Sequence, residues 1–120
     1  TLRLMRGAAG LLGSADFEAY LNAVYPALWS EGKNLGDADV LNEVLRKAGI
    51  DTLAICGIVT NGGVASTVRD AHMRDYHVQV LSDACAAFTD VIHQTSLADM
   101  GNVAEVITCE QFMQALKASE

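Results

Sequence analysis

The sequence predicts a single α/β domain in which a short parallel β-sheet carries helices on both faces and is preceded by N-terminal helices. In the first fifty residues, apolar side chains recur at the three- and four-residue spacing of a helical face. From Thr52 onward, short apolar runs alternate with helical patterns, which is the order of parallel βαβ units. The 120 residues are 51% apolar and contain one proline, so one sizeable core is expected without a compositional break.

The N-terminal portion, residues 1–48, is expected to be helical. One helix should place these apolar residues on a single face: Phe17, Tyr20, Leu21, Val24 and Leu28. Ser14 is its expected N-cap, and Pro26 should bend or interrupt it. A further helix should begin near Asp37 and end at Gly49, because glycine is the preferred residue just after a helix C-terminus.

Three strand–helix units are predicted after residue 51. Adjacent parallel strands are expected at residues 53–59, 78–81 and 104–107, and helices at residues 63–75, 89–99 and 109–118. The continuous apolar run LAICGIV predicts a first strand that is covered on both faces, with Cys56 as a small buried residue. Thr108 and Gln111 should form a capping box at the last helix.

Charge and cysteine content narrow the possible partners and location. There are 15 acidic residues against 8 scattered basic ones, a net charge of −7, which argues against binding to nucleic acid or to an anionic membrane. No apolar run reaches the roughly 20 residues of a membrane span, and the N-terminus lacks a signal-peptide pattern. Three cysteines, an odd number, are unlike a secreted disulfide framework. We therefore expect a cytoplasmic protein that acts on a small molecule.

The carboxyl ends of the predicted strands form the candidate site, because ligands bind at this edge of an open parallel sheet. The residues there are Thr60, Asn61, Gly62, Gly63, Asp83, Cys85, Thr108 and Cys109. Paired glycines let the backbone approach a ligand, and N–H groups of the helical turn that follows can receive an anion or an oxyanion. Residues 60–63 are therefore the predicted substrate-binding residues. The alternative is that the glycines only form a tight turn.

Several motifs carry a resemblance to a known family. From Gly49 onward the sequence reads GIDTLAICGIVTNGGVASTVRDAHMRDYHVQVLSDACAAF, with a Thr-Asn turn, a Thr-x-Arg-Asp motif and a Ser-Asp-Ala motif in this order. It resembles the isochorismatase-like, or cysteine hydrolase, superfamily. The similarity continues through His93, Leu97 and VAEVIT, so it covers about residues 49–117. The resemblance implies a Rossmann-like half fold and hydrolase activity.

One position departs from most of that superfamily. A cysteine nucleophile opens the helix in most members, whereas Gly63 stands at its place here. Isochorismatases proper resemble this sequence in having glycine there, and they hydrolyse a vinyl ether by protonation. Their general acid and its accompanying lysine belong to the N-terminal half of the family fold, which no segment of this sequence matches.

Residues 1–48 resemble a different family. The segments TLRLMRGA, FEAYLNAVYPALW and EGKNLGDADVL are similar to the helical region of thioredoxin-like 2-hydroxychromene-2-carboxylate isomerases. That family's active-site serine and most of its glutathione contacts lie outside this region, so neither is implied here. The two resemblances together imply a chimera, that is, a fusion of two incomplete folds.

With glycine at position 63, Cys85 becomes the candidate nucleophile, His93 its base and Asp83 the third member of the catalytic group. Packing and surface roles for all three residues are the alternative. Together with Cys109 they offer mixed ligands for zinc, but their spacing matches no established zinc pattern. No metal and no cofactor is predicted.

The expected function is hydrolysis of a small activated ester, amide or similar electrophile, with residues 60–63 as the oxyanion site. The rivals are a non-catalytic scaffold or oligomerisation module, and a protein that binds a small anion without turnover. A homodimer is expected, since the resemblance implies that the strand at residues 53–59 lacks its N-terminal partner strand and keeps an unpaired edge. N-terminal helices that cover this edge would instead keep the chain monomeric.

Overall fold

The structure of the chain is a computed structural model that describes residues 18, 21–23, 26, 34 and 36–119. The chain forms two compact units, Thr1–Asp51 and Thr52–Glu120. In the first unit, residues 18 and 21–23 are helical, as predicted. Pro26, which was expected to bend or interrupt this helix, is itself helical, and the expected N-cap Ser14 lies outside the described residues. The single α/β domain stays a prediction.

The first unit also contains the regular helix α1 (Ala38–Lys47). Its N-cap is Asp37, whose Oδ1 accepts a hydrogen bond from the N–H of Asp39 at 2.8 Å. Gly49 follows the helix with a φ of 76°, and its N–H donates to the carbonyl of Arg46 at 3.0 Å. Glycine adopts this left-handed conformation without steric cost. The predicted helix from near Asp37 to Gly49 is confirmed.

The second unit is built on a three-stranded parallel sheet in the order β1–β2–β3. The strands are β1 (Thr52–Ile58), β2 (His77–Ala86) and β3 (Glu105–Ile107). Helices flank the sheet, so the predicted α/β class and the predicted adjacent parallel strands are confirmed.

Strand β2 is longer than predicted, because it does not end at Leu81. The pairing with β1 shifts in register: Ile55 pairs with Val80, whereas Gly57, at a φ of 130°, pairs with Cys85. The extra residues of β2 form a bulge, and β2 then continues beside the last residues of β1. The bulge changes which residues stand at the carboxyl ends of the two strands.

The second unit also contains one tight helical turn and three helices. These are the turn Thr60–Val64, α2 (Ala65–Met73), α3 (Asp90–Met100) and α4 (Cys109–Ala118). The Oγ1 of Thr89 caps α3 by accepting the N–H of Ile92 at 3.2 Å. Thr108 and Gln111 form the predicted capping box at α4, with bonds of 3.2 Å and 2.8 Å. None of the helices that the structure describes combines the length and the apolar character needed to cross a membrane.

The core of the second unit lies between the sheet and the helices α2 and α3. Its buried apolar residues are Val64, Ala65, Val68, Ala71, Tyr76, Val78, Val80, Cys85, Leu97 and Met100. Val68, Val80 and Met100 have 0% exposure, and burial of an aliphatic side chain of this kind contributes about 1.5–3 kcal/mol. The turn Thr60–Val64 contacts β1, β2, α2 and α3, so the candidate loop is attached to this core.

Strand β1 has less cover than the sequence predicts. Its residues alternate between exposed and half-buried, with Ala54, Cys56 and Ile58 exposed. The prediction that Cys56 is a buried hydrophobe is therefore wrong. The physical reason is position: β1 is the outer strand of the described sheet, and α4 packs on its neighbour β2. An apolar run predicts a strand, but it does not determine what covers each face.

Candidate active site

The turn Thr60–Val64 stands at the carboxyl end of β1, where the sequence places the candidate site. The peptide bond before it, between Ile58 and Val59, is cis. Two N–H groups of the turn, those of Gly62 and Val64, donate to the carbonyl of Val59 at 3.0 Å and 3.3 Å. Gly62 is non-helical, with φ −117° and ψ −106°, so the turn is kinked at its centre. The kink separates the end of β1 from the regular helix α2.

The two glycines of this turn differ in what surrounds them. A Cβ on Gly62 would lie 2.9 Å from Cγ2 of Val59, which is closer than real side chains approach. A Cβ on Gly63 would meet only the carbonyl oxygen of Ile58, at an ordinary 3.7 Å. A side chain at position 62 would therefore force the Val59 methyl or the turn to shift, whereas position 63 has room for a side chain.

Thr60 and His93 connect the turn to α3. The Oγ1 of Thr60 and the Nδ1 of His93 are 2.8 Å apart, and Thr60 has 0% exposure. Sequence reasoning placed His93 beside Cys85 and missed this partner. The available signal was that Thr60 is a hydroxyl residue just after the end of β1, at the edge of the sheet where His93 was also expected.

Asp83 lies in the bulge of β2 and bonds to the start of α4. Its Oδ1 accepts the N–H of Cys109 at 2.8 Å. This backbone hydrogen bond is the main reason that the pKa of Asp83 lies below its ordinary value. The Asp83 carboxylate in turn accepts a hydrogen bond from the thiol of Cys109, which raises the pKa of Cys109. Asp83 is thus an ionised carboxylate at neutral pH, and Cys109 is a protonated thiol.

Cys85 follows the bulge of β2, where it pairs with Gly57 of β1, and it is buried. Burial raises the pKa of its thiol, and a backbone hydrogen bond with Gly57 lowers it to a smaller extent. The nucleophilic form of cysteine is the thiolate. The surroundings of Cys85 therefore favour the less reactive, protonated form.

An open cleft of about 630 Å³ brings two of the three predicted catalytic residues together. Its lining residues are Ser82, Asp83, His93, Gln94, Leu97, Ala98, Gly101 and Val106. Cys85 is not among the described residues that line it. In the described part of the chain, no three His, Cys, Asp or Glu side chains lie close enough together to hold a metal ion.

The Thr-x-Arg-Asp motif on α2 makes structural contacts. The hydroxyl of Thr67 donates to the carbonyl of Gly63 at 2.7 Å, which ties the candidate turn to the first turn of α2. Arg69 forms an ion pair with Asp99 of α3. Asp70 pairs with Arg74 along the same helix at 3.1 Å. The motif therefore holds α2, the turn and α3 together.

Proteins related in sequence match this chain over part of their length. YwoC, an uncharacterized isochorismatase family protein of Bacillus subtilis, is 38% identical over 74 residues, which are 61% of this chain and 39% of YwoC. A probable inactive nicotinamidase of Arabidopsis thaliana is 39% identical over 64 residues, 52% of this chain and 33% of that protein. The ureidoacrylate amidohydrolase RutB of Methylobacterium radiotolerans is 41% identical over 61 residues, 50% of this chain and 24% of RutB. The chain thus spans about two fifths or less of these relatives.

Solved structures of other proteins share the fold of this chain. An isochorismatase-like hydrolase from Alkaliphilus metalliredigens is 39% identical with a TM-score of 0.60, over 62% of this chain and 42% of that one. The pyrazinamidase of Pyrococcus horikoshii, solved in complex with zinc, is 26% identical with a TM-score of 0.54, over 57% and 38%. The octameric hydrolase YcaC of Escherichia coli is 25% identical with a TM-score of 0.54, over 62% and 37%.

The family assignment rests on the match to the Isochorismatase domain, which covers residues 37–111. The match begins earlier than the resemblance noted from about residue 49, and it includes α1. Residues 37–48, which were grouped with the isomerase-like portion, thus lie inside it. The relatives whose names state an activity are hydrolases. With a match over more than half of its length, this chain belongs to the Isochorismatase domain family.

Proposed function

We propose that the turn Thr60–Val64 is the oxyanion site of a hydrolase that acts on a small activated ester, amide or similar electrophile. The kinked turn at the carboxyl end of β1 carries the proposal. Because Gly62 and Val64 use their N–H groups on Val59, the N–H groups of Asn61 and Gly63 are the proposed donors. Both residues are exposed, so a substrate carbonyl can approach them. The names of RutB and of the pyrazinamidase favour an amide as the substrate class.

The chemistry that fits this turn is direct attack by water. Gly63 has no side chain to form a covalent intermediate, so a water oxygen would bond to the substrate carbonyl carbon. The carbonyl electron pair moves to the oxygen, where the two N–H groups stabilise the charge. Collapse of this intermediate breaks the bond to the leaving amine or alkoxide, which takes up the proton that the water loses. Asp83 and His93 are the titratable groups of the adjacent cleft.

The catalytic group of Cys85, His93 and Asp83 stays a prediction with its own test. Burial and the raised pKa of Cys85 weigh against a thiolate nucleophile, as does the bond of His93 to Thr60. If water attacks directly, Cys85→Ser keeps its turnover and thiol-alkylating reagents leave the rate unchanged. Loss of activity in both treatments would instead establish Cys85 as the nucleophile.

Substitution of Gly63 tests the oxyanion site. Gly63→Val should fold, since a Cβ at position 63 has room, but its branched side chain would cover the donors. We expect at least a hundredfold loss of kcat on an aryl ester or a small aromatic amide, the scale of losing an oxyanion donor. Ser66→Val, on the exposed start of α2, is the matched control and should keep its activity. Equal turnover in both variants would exclude the turn as the site.

A non-catalytic scaffold is the second candidate. The observation that favours it is the glycine at the position where most of the superfamily has a cysteine, together with a relative that is named probably inactive. Binding of a small anion at the turn without turnover is the corresponding ligand function. A wild-type chain that binds a carboxylate or phosphate by calorimetry, but hydrolyses none of a panel of esters and amides, would support this candidate.

We also propose that the chain forms a homodimer through the outer edge of β1. This strand has no charged residue, is the outer strand of the described sheet and exposes Ala54, Cys56 and Ile58. YcaC, described as octameric, provides a relative that assembles. Light scattering at micromolar concentration should give about twice 12.7 kDa. Ala54→Lys should reduce that mass to the monomer's, because a lysine at an edge strand opposes pairing, whereas Asn102→Lys should not.

Two further parts of the interpretation stay predictions. The resemblance of residues 1–48 to a thioredoxin-like isomerase, and thus the chimeric origin, is one of them. A cytoplasmic location is the other, and the three free thiols Cys56, Cys85 and Cys109 are compatible with a reducing compartment. Fractionation of the native host with an antibody against this chain tests the location.

A further inference from the structure

We infer that His93 is a positioning residue of the turn Thr60–Val64, in its neutral form with the ring proton on Nε2, and that it acts through the hydroxyl of Thr60. The inference rests on the proposed function of this turn as an oxyanion site. It gives His93 a role that differs from that of a base for Cys85.

The hydroxyl of Thr60 determines the proton position. Thr60 has 0% exposure, and a buried hydroxyl hydrogen needs an acceptor. In the described part of the chain, the Nδ1 of His93, 2.8 Å away, is the hydrogen-bond partner of this hydroxyl. A neutral imidazole has one donor and one acceptor nitrogen. If Nδ1 accepts from Thr60, the ring proton is on Nε2.

The position of His93 in the fold makes it a firm support. Its backbone N–H donates to the carbonyl of the N-cap Thr89 at 3.0 Å, so it lies in the first turn of α3. Further along the same helix, Leu97 and Met100 are buried in the core. The turn is therefore held on one side by its covalent link to β1 and on the other by a hydrogen bond to a packed helix.

The Nε2 atom of His93 is the ring nitrogen that remains for a ligand in the cleft. His93 lines the cleft and uses Nδ1 on Thr60, which leaves Nε2–H as a donor toward a bound molecule. Asp83, on the same cleft, accepts from Cys109, and its carboxylate disfavours an anionic ligand beside it. The arrangement fits a neutral ligand with a hydrogen-bond acceptor, such as the carbonyl of an amide.

Nitrogen NMR tests the proton position without any need for activity. Long-range 1H–15N spectra of the full chain at about pH 8.5, where imidazoles are neutral, should show Nδ1 of His93 as the unprotonated nitrogen. His72 and His77 are exposed internal references. Thr60→Val, which replaces the hydroxyl by a methyl of similar size, should remove the hydrogen-bond shift at Nδ1. A proton on Nδ1 would overturn the inference.

Amide hydrogen exchange tests the positioning role. Thr60→Val and His93→Gln should each speed the exchange of the Gly62 and Val64 amides, which donate to the carbonyl of Val59, about tenfold, the scale of one lost hydrogen bond. The double variant should be no faster. His93→Asn keeps an acceptor near the Nδ1 position and Thr60→Ser keeps the hydroxyl, so both should stay within about threefold of wild type. Ser96→Ala, which removes another hydroxyl on α3, is the control.

Turnover provides the link to the proposed function. Where hydrolysis is present, Thr60→Val and His93→Gln should lower kcat about ten- to a hundredfold with little change in KM, since misplaced donors stabilise the transition state less well. Additive losses, or losses equal in His93→Asn and His93→Gln, would contradict positioning. If the wild type hydrolyses nothing, the proposed function fails, while the exchange rates and the proton position still decide the role of His93.

Discussion

Strand β1 is a nearly continuous apolar run and β2 is interrupted by polar residues, yet β2 is the better buried of the two. In β2, Val78 and Val80 are only 2% and 0% exposed, whereas Ile58 of β1 is 78% exposed. β2 has a strand on each side and contacts α2, α3 and α4, whereas β1 is the outer strand of the described sheet. Apolar composition therefore predicts a strand, while the order of strands determines which residues become core.

The largest expected effect on stability is at a buried position of β2. Val80→Ala should lower the free energy of unfolding by about 2–3 kcal/mol, because it leaves a cavity at a fully buried position. Ile58→Ala should change it by less than about 0.5 kcal/mol if its side chain stays exposed. Urea titrations followed by circular dichroism measure both. A cost at Ile58 similar to that at Val80 would show that another chain covers β1, which would sharpen the dimer proposal.

The second comparison concerns the two glycines at the end of β1. Gly62→Ala should destabilise the chain by about 1–3 kcal/mol, because its Cβ would lie 2.9 Å from Val59 and something must shift. Gly63→Ala should cost less than about 0.5 kcal/mol, as its Cβ finds ordinary contact. Thermal unfolding of the two variants side by side provides the measurement. A reversed order would mean that position 63, and not 62, is the sterically constrained glycine.

The fold could be predicted from the sequence in those elements that depend on local signals. The start of α1 at Asp37, its end before Gly49 and the capping box of Thr108 and Gln111 follow from the residues themselves. The length of β2 could not be predicted in this way, because it depends on the bulge between Val80 and Cys85. That bulge is a property of the pairing and not of either strand alone.

The candidate site could be predicted only in outline. The rule for parallel sheets placed residues 60–63 after β1 correctly, since it depends on topology alone. Asp83 and Cys85, which were expected after the second strand, lie within β2 because that strand continues to Ala86. This rule does not predict the hydrogen-bond partners of individual side chains. His93 bonds to Thr60, and Asp83 bonds to Cys109. The distance between two residues far apart in sequence depends on packing, which periodicity does not report.

A smaller effect is expected where β2 meets α4. The lowered pKa of Asp83 means that its ionised form stabilises the folded chain. This contribution is complete above the ordinary aspartate value of 3.8 and is lost as the pH falls through the lower pKa of the folded state. Asp83→Asn should therefore lower Tm at pH 7, and the difference from wild type should vanish at strongly acid pH. Glu110→Gln, the control, removes a charge from the first turn of the same helix and should lower Tm less than Asp83→Asn does. If both variants lower Tm equally, the effect belongs to the electrostatics of the helix start and not to the Asp83 hydrogen bond.

The smallest expected effect separates the three cysteines by their surroundings. Cys56 is exposed on β1, Cys85 is buried in β2, and the thiol of Cys109 donates to Asp83. Burial raises the pKa of Cys85, and the hydrogen bond to the Asp83 carboxylate raises the pKa of Cys109. Iodoacetamide at pH 8 should therefore modify Cys56 first and Cys85 last. Mass spectrometry of the digested chain measures the three rates. Asp83→Asn should quicken the reaction of Cys109 most, because a neutral amide no longer opposes its thiolate. Cys85 should change less, because burial is the main cause of its raised pKa and the Asp83 charge is a minor one. The rate at Cys56 is also to be measured as the protein concentration is raised through the micromolar range. A falling rate would show that association buries the exposed face of β1. The difference in exposure between β1 and β2 would then hold for the monomer only.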